Sequence, residues 1–319
     1  MTLWKGYFTG DIHGSELTFK KLLKAGKFYE VNTVVIAGDL VGKGMVPILK
    51  SSSKYTCEFG GEQRSMETEF DLKMMIEMIE NTGFYTYVTG QDELAVLRAD
   101  PVRSEKLVNG LIVKRMMSWM AQMEESGKKE GIVYYISAGN DDPFEIDAVM
   151  RSTTNVINPE EQCLAVHPKI DMLTFGGTNP TPWDTPREYP EDKLLEKLEQ
   201  LVRQVPDPKK CIFSLHAPPY GTKLDVAPKL NKDLRMESGL GGSPFQNVGS
   251  KSVRTIFEKY QPLVGVHGHV HECAGKDKIG NTLIFNHGSE YAQGVLRGLI
   301  LIFNVDKQVK YANYLSVSG

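Results

Sequence analysis

The chain has 319 residues, of which 41% are hydrophobic and 24% are charged, and its formal net charge is −3. These values are typical of a globular protein that can bury a sizeable core. The slightly acidic balance excludes the diffuse positive field on which non-specific nucleic-acid binding depends, so nucleic acid is an unlikely partner.

The chain shows no sign of membrane insertion or secretion. No apolar run approaches the ~20 residues of a membrane-spanning helix, and the first residues lack the basic-then-apolar pattern of a secretory signal. The four cysteines are scattered without Cys-x-x-Cys spacing, which argues against a disulfide framework and suits a reducing compartment. We therefore expect a cytoplasmic protein without a membrane partner.

Short apolar runs rich in β-branched and aromatic residues alternate with helical patterns. The first elements in chain order are a strand, an amphipathic helix and a strand at Leu3–Phe8, Ser15–Ala25 and Thr33–Ala37. Later strands are predicted at Ile132–Ser137, Met172–Phe175, Ile212–Leu215 and Leu263–Val266, followed by several between Thr282 and Tyr314. This order predicts an α/β fold with packed sheets flanked by helices, and we treat residues 1–319 as a single domain.

Residues 51–130 interrupt the alternation. The segment is mostly helical by pattern and holds eight of the 13 methionines, many at helical spacings. We predict a helical insertion within the domain. Its methionines either pack the core of the insertion or form an adaptable apolar surface for a lid or a homo-oligomer contact.

Five predicted strands are followed by polar residues suited to metal binding. Because ligands gather at the carboxyl ends of strands in α/β sheets, these side chains are expected to converge. Two of the runs carry candidate ligands two residues apart, which point the same way in extended backbone. The candidate positions are Asp11 and His13, then Asp39, then Asn140 and Asp141, then His216, and finally His269 and His271.

Each position also has a purely structural explanation. Asp11 and Asp39 lie beside glycines and could be turn or N-cap residues, and Asn140 could form an Asx-turn. His216 alone would more often be a hydrogen-bonded core histidine. The recurrence of Asp, Asn or His at five strand ends in order favours the metal interpretation, because a structural account must explain every position separately.

The ligand types predict which metals are bound and how many. Carboxylates, imidazoles and one amide oxygen without a thiolate favour Mn, Fe, Zn, Ni or Co over Ca or Cu(I). Seven candidate ligands exceed the needs of one four-coordinate ion, so two divalent ions are expected, with Asp39 as the bridging carboxylate. Such a pair can activate a bridging hydroxide for attack on phosphorus, so phosphate ester hydrolysis is the natural chemistry.

The motif order DxH, GD, GN(x)D, H and GHxH resembles that of the calcineurin-like metallophosphoesterase superfamily, and more narrowly that of the small prokaryotic Icc-related phosphoesterases. The resemblance covers most of the chain outside residues 51–130 and includes Gly176–Pro186 and Leu215–Asp225. It implies a four-layer α/β/β/α sandwich. It also implies two sets of metal ligands, the first being Asp11, His13, Asp39 and His271, and the second Asp39, Asn140, His216 and His269.

One position departs from the family pattern. The third motif commonly reads Gly-Asn-His-Asp or Gly-Asn-His-Glu, and its histidine is the usual acid for the leaving group. Asp141 occupies that place here, and an aspartate with a reference pKa of ~3.9 is a poor acid at neutral pH. We predict catalytic roles for Asp39, Asn140 and Asp141, and the sequence leaves the acid for the leaving group open. His267 and His287 are either alternative proton donors or, more simply, packing residues.

These observations predict a metal-dependent hydrolase that prefers phosphodiesters to monoesters. The expected substrate is a phosphorylated small molecule or nucleotide-type compound. The alternative is a non-catalytic metal-binding scaffold or protein-interaction member of the same fold, since the retromer component of this superfamily also lacks the third-motif histidine. The seven intact ligand positions favour the hydrolase, and a nuclease is disfavoured by the acidic balance and the absence of an evident basic stripe.

Overall fold

A computed structural model describes residues 2–42, 44–231, 234 and 244–319. The strands before the middle of the chain are β1 (Leu3–Thr9), β2 (Thr33–Ala37), β3 (Met45–Lys50), β4 (Tyr55–Phe59), β5 (Glu62–Met66), β6 (Tyr85–Thr89), β7 (Val133–Ser137), β8 (Val156–Ile157) and β9 (Cys163–His167). The later strands are β10 (Ile170–Phe175), β11 (Cys211–Leu215), β12 (Val226–Pro228), β13 (Phe245–Asn247), β14 (Val264–His267), β15 (Gly275–Ile279), β16 (Thr282–Asn286), β17 (Arg297–Asn304) and β18 (Lys310–Ser318). The α-helices are α1 (Glu16–Phe28), α2 (Glu69–Asn81), α3 (Gln91–Ala99), α4 (Pro101–Glu130), α5 (Ile146–Met150), α6 (Glu191–Val202) and α7 (Lys251–Tyr260).

Two six-stranded sheets dominate the fold. The strand order is β18-β17-β1-β2-β7-β8 in the first sheet and β15-β16-β14-β11-β10-β9 in the second. The central strands run parallel, β1 with β2 and β2 with β7 in the first sheet, and β10 with β11 and β11 with β14 in the second. Their carboxyl ends therefore lie together at one edge of each sheet.

The two sheets pack face to face, with helices on both outer surfaces. Side chains alternate along β2, so Val35 packs between the sheets against Ile212 and Val264, while Val34 and Ile36 pack outward. Helices α1, α4 and α5 cover the outer face of the first sheet, and α6 and α7 cover that of the second. The predicted four-layer α/β/β/α sandwich is confirmed, as are the predicted strands of both sheets.

Helices α2, α3 and α4 make up most of residues 51–130, as predicted, but the first half of the segment also contains three strands that the helical prediction missed. Strands β4 and β5 form a hairpin and join β3 and β6 in a four-stranded sheet. Gly60 and Gly61, both with positive φ, form the two-residue turn of this hairpin. Glycine supplies the left-handed backbone that such turns require. Only α2, α3 and α4 of the segment are helical.

The methionines of α4 belong to the main core. Met116, Met120 and Met123 are fully buried with Trp119 against the outer face of the first sheet, whereas Met117 is 60% exposed. The packing interpretation therefore holds for three of these four residues. They fill the main core of the domain rather than a separate core within the insertion. Within the described ranges, no helix has the length and apolar character needed to cross a bilayer.

Candidate metal centre

The loops that follow the parallel strands bring six predicted ligands into two adjoining clusters. In each cluster the candidate ligand atoms lie within 4.8 Å of one another. Asp39 belongs to both. The first cluster is Asp11, His13, Asp39 and His271, and the second is Asp39, His216 and His269. This division matches the two ligand sets implied by the family resemblance, and it shows that the clustered Asp and His side chains could bind metal ions.

The contacts within the clusters are close. His13 Nε2 lies 3.1 Å from His271 Nε2 and 3.7 Å from Asp39 Oδ2. His216 Nε2 lies 3.3 Å from Asp39 Oδ2 and 3.8 Å from Asp11 Oδ1. Each pair joins loops from different strands, and three of the four distances involve a carboxylate. The candidate ligand atoms therefore lie within a few ångströms of one another.

The backbone at the site adopts a conformation that ordinary residues avoid. Asp11, His13, Asp39 and His269 all have φ between +40° and +65°. Left-handed backbone is uncommon for residues other than glycine, and such residues cluster at functional sites where the surrounding structure enforces them. Here the two loops of the first sheet hold each other, because Asp11 N–H donates to the Gly38 carbonyl and His13 N–H to that of Asp39, both at 2.9 Å.

Gly38 allows His216 to approach Asp39. Its φ is +98°, and a Cβ placed there would lie 2.0 Å from His216 Nδ1. We therefore expect Gly38→Ala to destabilise the protein by about 2–4 kcal/mol, through backbone strain and displacement of the histidine. Urea unfolding without added metal measures this. Gly110→Ala, in α4 where the space is open, is the control and should gain about 0.5–1 kcal/mol. Equal stability of Gly38→Ala and the wild type would contradict this role.

Asp142 joins the loops after β2 and β7. Its buried carboxylate accepts hydrogen bonds from the backbone N–H groups of Leu40, Val41 and Gly139, at 2.8–3.0 Å. Burial, and then the nearby Asp39, raise the pKa of this carboxyl to about 7. Asp142 is the last residue of the GN(x)D motif, for which the sequence predicted no separate role. Its function is to hold the loops that carry Asp39 and Asn140.

The neighbouring protein groups shift the pKa values of the buried candidate ligands in different directions. Burial raises the pKa of Asp11 well above its usual range. Burial also opposes ionisation of Asp39, but His216 and His13 outweigh it and hold the pKa of Asp39 well below its usual range. Burial lowers the pKa of His269 to about 3, so its imidazole is neutral and can offer a lone pair. Burial opposes protonation of His216, but Asp39 and Asp11 outweigh it and raise its pKa to about 9. A metal ion bound by His216 would therefore displace a proton from its imidazole.

Asn140 adds the amide oxygen that the sequence analysis expected. The side-chain Nδ2 donates a 2.8 Å hydrogen bond to Thr185 Oγ1, and the buried Oδ1 accepts no hydrogen bond within the described part of the chain. His216 Nδ1 is likewise buried without a hydrogen-bond partner there. A buried acceptor without a donor is costly, and coordination of an ion is one way to satisfy it. The residues present therefore fit a divalent metal ion.

Sequence reasoning missed the residues that orient Asn140. Thr185 Oγ1 accepts from Asn140 and donates to Glu188 Oε1 at 2.6 Å. The Glu188 carboxylate also accepts the Thr185 N–H and both the N–H and the hydroxyl of Thr181. Thr185 and Glu188 are 45 or more positions from Asn140 along the chain, although Gly176–Pro186 was recognised as part of the family resemblance.

We expect Thr185→Val to weaken metal binding about 10–100-fold, because the Asn140 amide loses the acceptor that sets its orientation. Titration of metal-stripped protein with Mn²⁺ measures the affinity. Thr181→Val is the matched control, since it removes a hydroxyl bonded to the same Glu188 oxygen but no contact to Asn140. Equal affinities of the two variants would show that Thr185 does not position the amide.

Two of the proposed proton donors are poorly suited to that role. The Nδ1–H groups of His267 and His287 donate to the carbonyls of Leu215 and Gly288, at 2.7 and 2.9 Å. Burial lowers the pKa of each to about 4, so both imidazoles are neutral at pH 7. The structure therefore favours the packing interpretation for these histidines. Asp141 lies beside the first cluster, with Oδ2 3.7 Å from His13 Nδ1.

Comparison with known proteins gives one sequence relative. No family model matches the chain. A stretch of 119 residues, 37% of this chain, is 37% identical to an uncharacterized protein, MJ1162, of Methanocaldococcus jannaschii. The matched stretch spans 47% of the length of that protein, so the similarity covers part of each chain.

Solved structures match over nearly the whole chain. One superposes with a TM-score of 0.56 and 15% identity, over 94% of this chain and 95% of its own length. The crystal structure of TT1561 of Thermus thermophilus has a TM-score of 0.50 and 12% identity, over 93% and 94%. At these identities the likeness concerns the fold. The likeness is consistent with the predicted metallophosphoesterase-like α/β fold, and the Asp/His clusters fit the predicted motif order.

Proposed function

We propose that the protein is a metal-dependent phosphoesterase that uses two divalent ions. The observation that carries this proposal is the pair of clusters that share Asp39. Asp11, His13 and His271 would complete the first ligand set, and Asn140, His216 and His269 would complete the second. The donor chemistry suits Mn, Fe, Zn, Ni or Co.

Two such ions would lower the pKa of a coordinated water and offset the negative charge of a phosphate ester. The chain itself keeps the ligands in place. Asp11 accepts the His269 N–H through both carboxylate oxygens, at 3.1 and 3.3 Å, so the loops after β1 and β14 are tied together. Asp39 Oδ1 accepts the Asp141 N–H at 3.0 Å, which ties the loop after β7 to the shared carboxylate. Preorganised ligands reduce the reorganisation needed during the reaction.

A phosphodiester is the preferred substrate under this proposal. A neutral or positively charged proton donor at position 141 would favour binding of a phosphate dianion. The site has Asp141 there instead, and the side chain of Asp141 is only 10% exposed. A monoester dianion is repelled more strongly by this carboxylate than a diester monoanion is. The proposed substrates are phosphorylated small molecules of the nucleotide type. We propose neither a membrane nor a nucleic acid as a partner.

Hydrolysis of p-nitrophenyl phosphate and bis(p-nitrophenyl) phosphate by metal-stripped protein tests the proposal. Mn²⁺, Ni²⁺, Zn²⁺ and Mg²⁺ are added separately, and the metal bound per chain is measured in parallel. We expect metal-dependent turnover, faster for the diester. Binding of two ions without turnover of either ester would reject the hydrolase in favour of a metal-binding scaffold. The scaffold is the second candidate because Asp141 replaces the usual histidine.

A further inference from the structure

A large cavity opens beside the candidate metal centre. Its volume is about 640 Å³, within the range of pockets that hold small organic ligands. His269 of the second cluster contributes to its wall, so the cavity and the metal centre are continuous. The opposite parts of the wall include two aromatic residues, Trp183 and Tyr220.

Trp183 is held on a hydrogen-bonded loop that also reaches the metal centre. The indole is 57% exposed, so it contributes little to the core. Its loop is fixed because the Glu188 carboxylate accepts four hydrogen bonds, two from Thr181 and two from Thr185. Thr185 in turn accepts from Asn140. The loop therefore holds an exposed aromatic ring at a set position relative to the candidate ligands.

Tyr220 comes from the segment that supplies His216. Its backbone N–H donates to the Ser250 carbonyl at 2.9 Å, which anchors it to the start of α7. The ring is 38% exposed, and Lys251 Nζ lies 5.4 Å from its centroid. Two exposed aromatic rings in one cavity, each on a segment tied to the metal centre, provide surfaces on which a flat group can stack.

The charged groups that line the cavity offset one another, so they favour an uncharged ligand. Lys251 and Glu272, which carry opposite charges, both line the wall. Glu191 lines the wall, but its carboxylate accepts hydrogen bonds from Ser250 Oγ and from the N–H groups of Lys251 and Ser252, so its charge is used at the N-terminus of α7. Asn179 donates through Nδ2 to the Val248 carbonyl, while its buried Oδ1 has no hydrogen-bond partner among the described residues. That oxygen is closed to solvent in this conformation, so a ligand N–H would reach it after rotation of the Asn179 side chain.

We propose that this cavity binds the planar, uncharged aromatic group of a phosphodiester, as a nucleobase would provide, while the phosphate lies at the metal centre. The inference rests on the proposed function, which supplies the anchor for the phosphate. Stacking on Trp183 and Tyr220 gives the affinity for the base.

Binding of adenosine 5′-monophosphate and ribose 5-phosphate to the Mn²⁺-loaded protein tests the proposal by calorimetry. The two probes share the sugar and phosphate and differ only by the base. We expect the nucleotide to bind at least ~10-fold more tightly. Trp183→Ala and Tyr220→Ala should each reduce that ratio towards one without changing the affinity for ribose 5-phosphate. Phe70→Ala, an exposed aromatic residue on α2, is the control and should leave the ratio unchanged.

The ratio of affinities separates this inference from the proposed metal centre. If the metal centre is wrong, Asp39→Asn leaves both affinities unchanged; if it is right, both fall while their ratio is retained. Equal affinities of the two probes in the wild type, or a ratio unaffected by both aromatic substitutions, would overturn the base-binding cavity. Tighter binding of octyl phosphate than of the nucleotide would assign the cavity to an alkyl chain and overturn it as well.

A kinetic comparison gives a second measurement. The p-nitrophenyl esters of thymidine 5′-phosphate and of methyl phosphate release the same leaving group, so they differ only in the group retained on phosphorus. We expect kcat/KM to be at least ~10-fold higher for the thymidine ester, and Trp183→Ala to remove the advantage while turnover of the methyl ester is unchanged. Equal kcat/KM values for the two esters would contradict the proposal.

Discussion

Replacement of Asp39 by asparagine is expected to reduce the bound metal from two ions per chain to one or fewer, and kcat/KM by at least ~100-fold. Asp39 is the residue common to both clusters. Asparagine keeps the shape and tolerates the left-handed backbone at this position, where φ is +48°. Its side-chain oxygen can still accept the Asp141 N–H that Asp39 accepts at 3.0 Å. The variant therefore removes a charge without disturbing the loop.

Elemental analysis of the dialysed protein and hydrolysis of bis(p-nitrophenyl) phosphate provide the two measurements. Asp306→Asn is the matched control, because Asp306 accepts the Thr2 N–H through its side chain in the turn between β17 and β18, far from the clusters. We expect this control to retain both ions and full activity. If Asp39→Asn also retains two ions, the bridging assignment is wrong. If it loses one ion yet keeps its activity, a single ion suffices for the reaction.

The strand ends of the site were predictable because they depend on local pattern and on one rule of topology. Asp39 follows the apolar run of β2, and His216 follows that of β11, so each position is visible within a few residues of sequence. Parallel strands bring the loops of each sheet to one edge, and the face-to-face packing of the two sheets places these edges together. The convergence of Asp11, Asp39 and His216 is therefore a consequence of strand direction within each sheet and of the packing of the two sheets.

Residues 51–130 show where pattern alone was insufficient. Strand β5 is exposed along most of its length, so it lacks the alternation of apolar and polar residues that marks a half-buried strand. Two adjacent glycines, Gly60 and Gly61, were a usable signal for a hairpin turn between β4 and β5. The helical periodicity of the later helices outweighed that signal in the prediction of the whole segment.

Contacts between distant segments could not be inferred from the sequence. The hydrogen bond from Asn140 to Thr185 spans 45 residues, and the bond from Leu40 to Asp142 spans 102. Threonine and aspartate are common polar residues, and nothing in their neighbourhood indicates which distant group they contact. Such supporting residues become visible only when the three-dimensional packing is known, although they determine how well the ligands are placed.

Substitution of Asp141 by histidine is expected to raise kcat for alkyl phosphate monoesters by about 100-fold. Asp141 occupies the place of the usual acid in the family that the motifs resemble, and its Oδ2 lies 3.7 Å from His13 Nδ1, beside the clusters. A histidine has a reference pKa of ~6.5 and can donate a proton to a poor leaving group near neutral pH, whereas the aspartate cannot. The p-nitrophenolate group needs no proton, so esters that release it should gain little.

The dependence of kcat on the pKa of the leaving alcohol distinguishes proton donation from a change of charge. Asp141→Asn is the control, because it removes the same negative charge without supplying a proton donor. We expect the histidine variant to show a shallower dependence on leaving-group pKa, and the asparagine variant to gain activity on monoesters with the slope unchanged. Identical slopes for both variants would assign the gain to relief of repulsion alone. A loss of activity towards every ester in both variants would show that the aspartate itself takes part in the reaction, because charge removal and proton donation would each have failed to compensate for its absence.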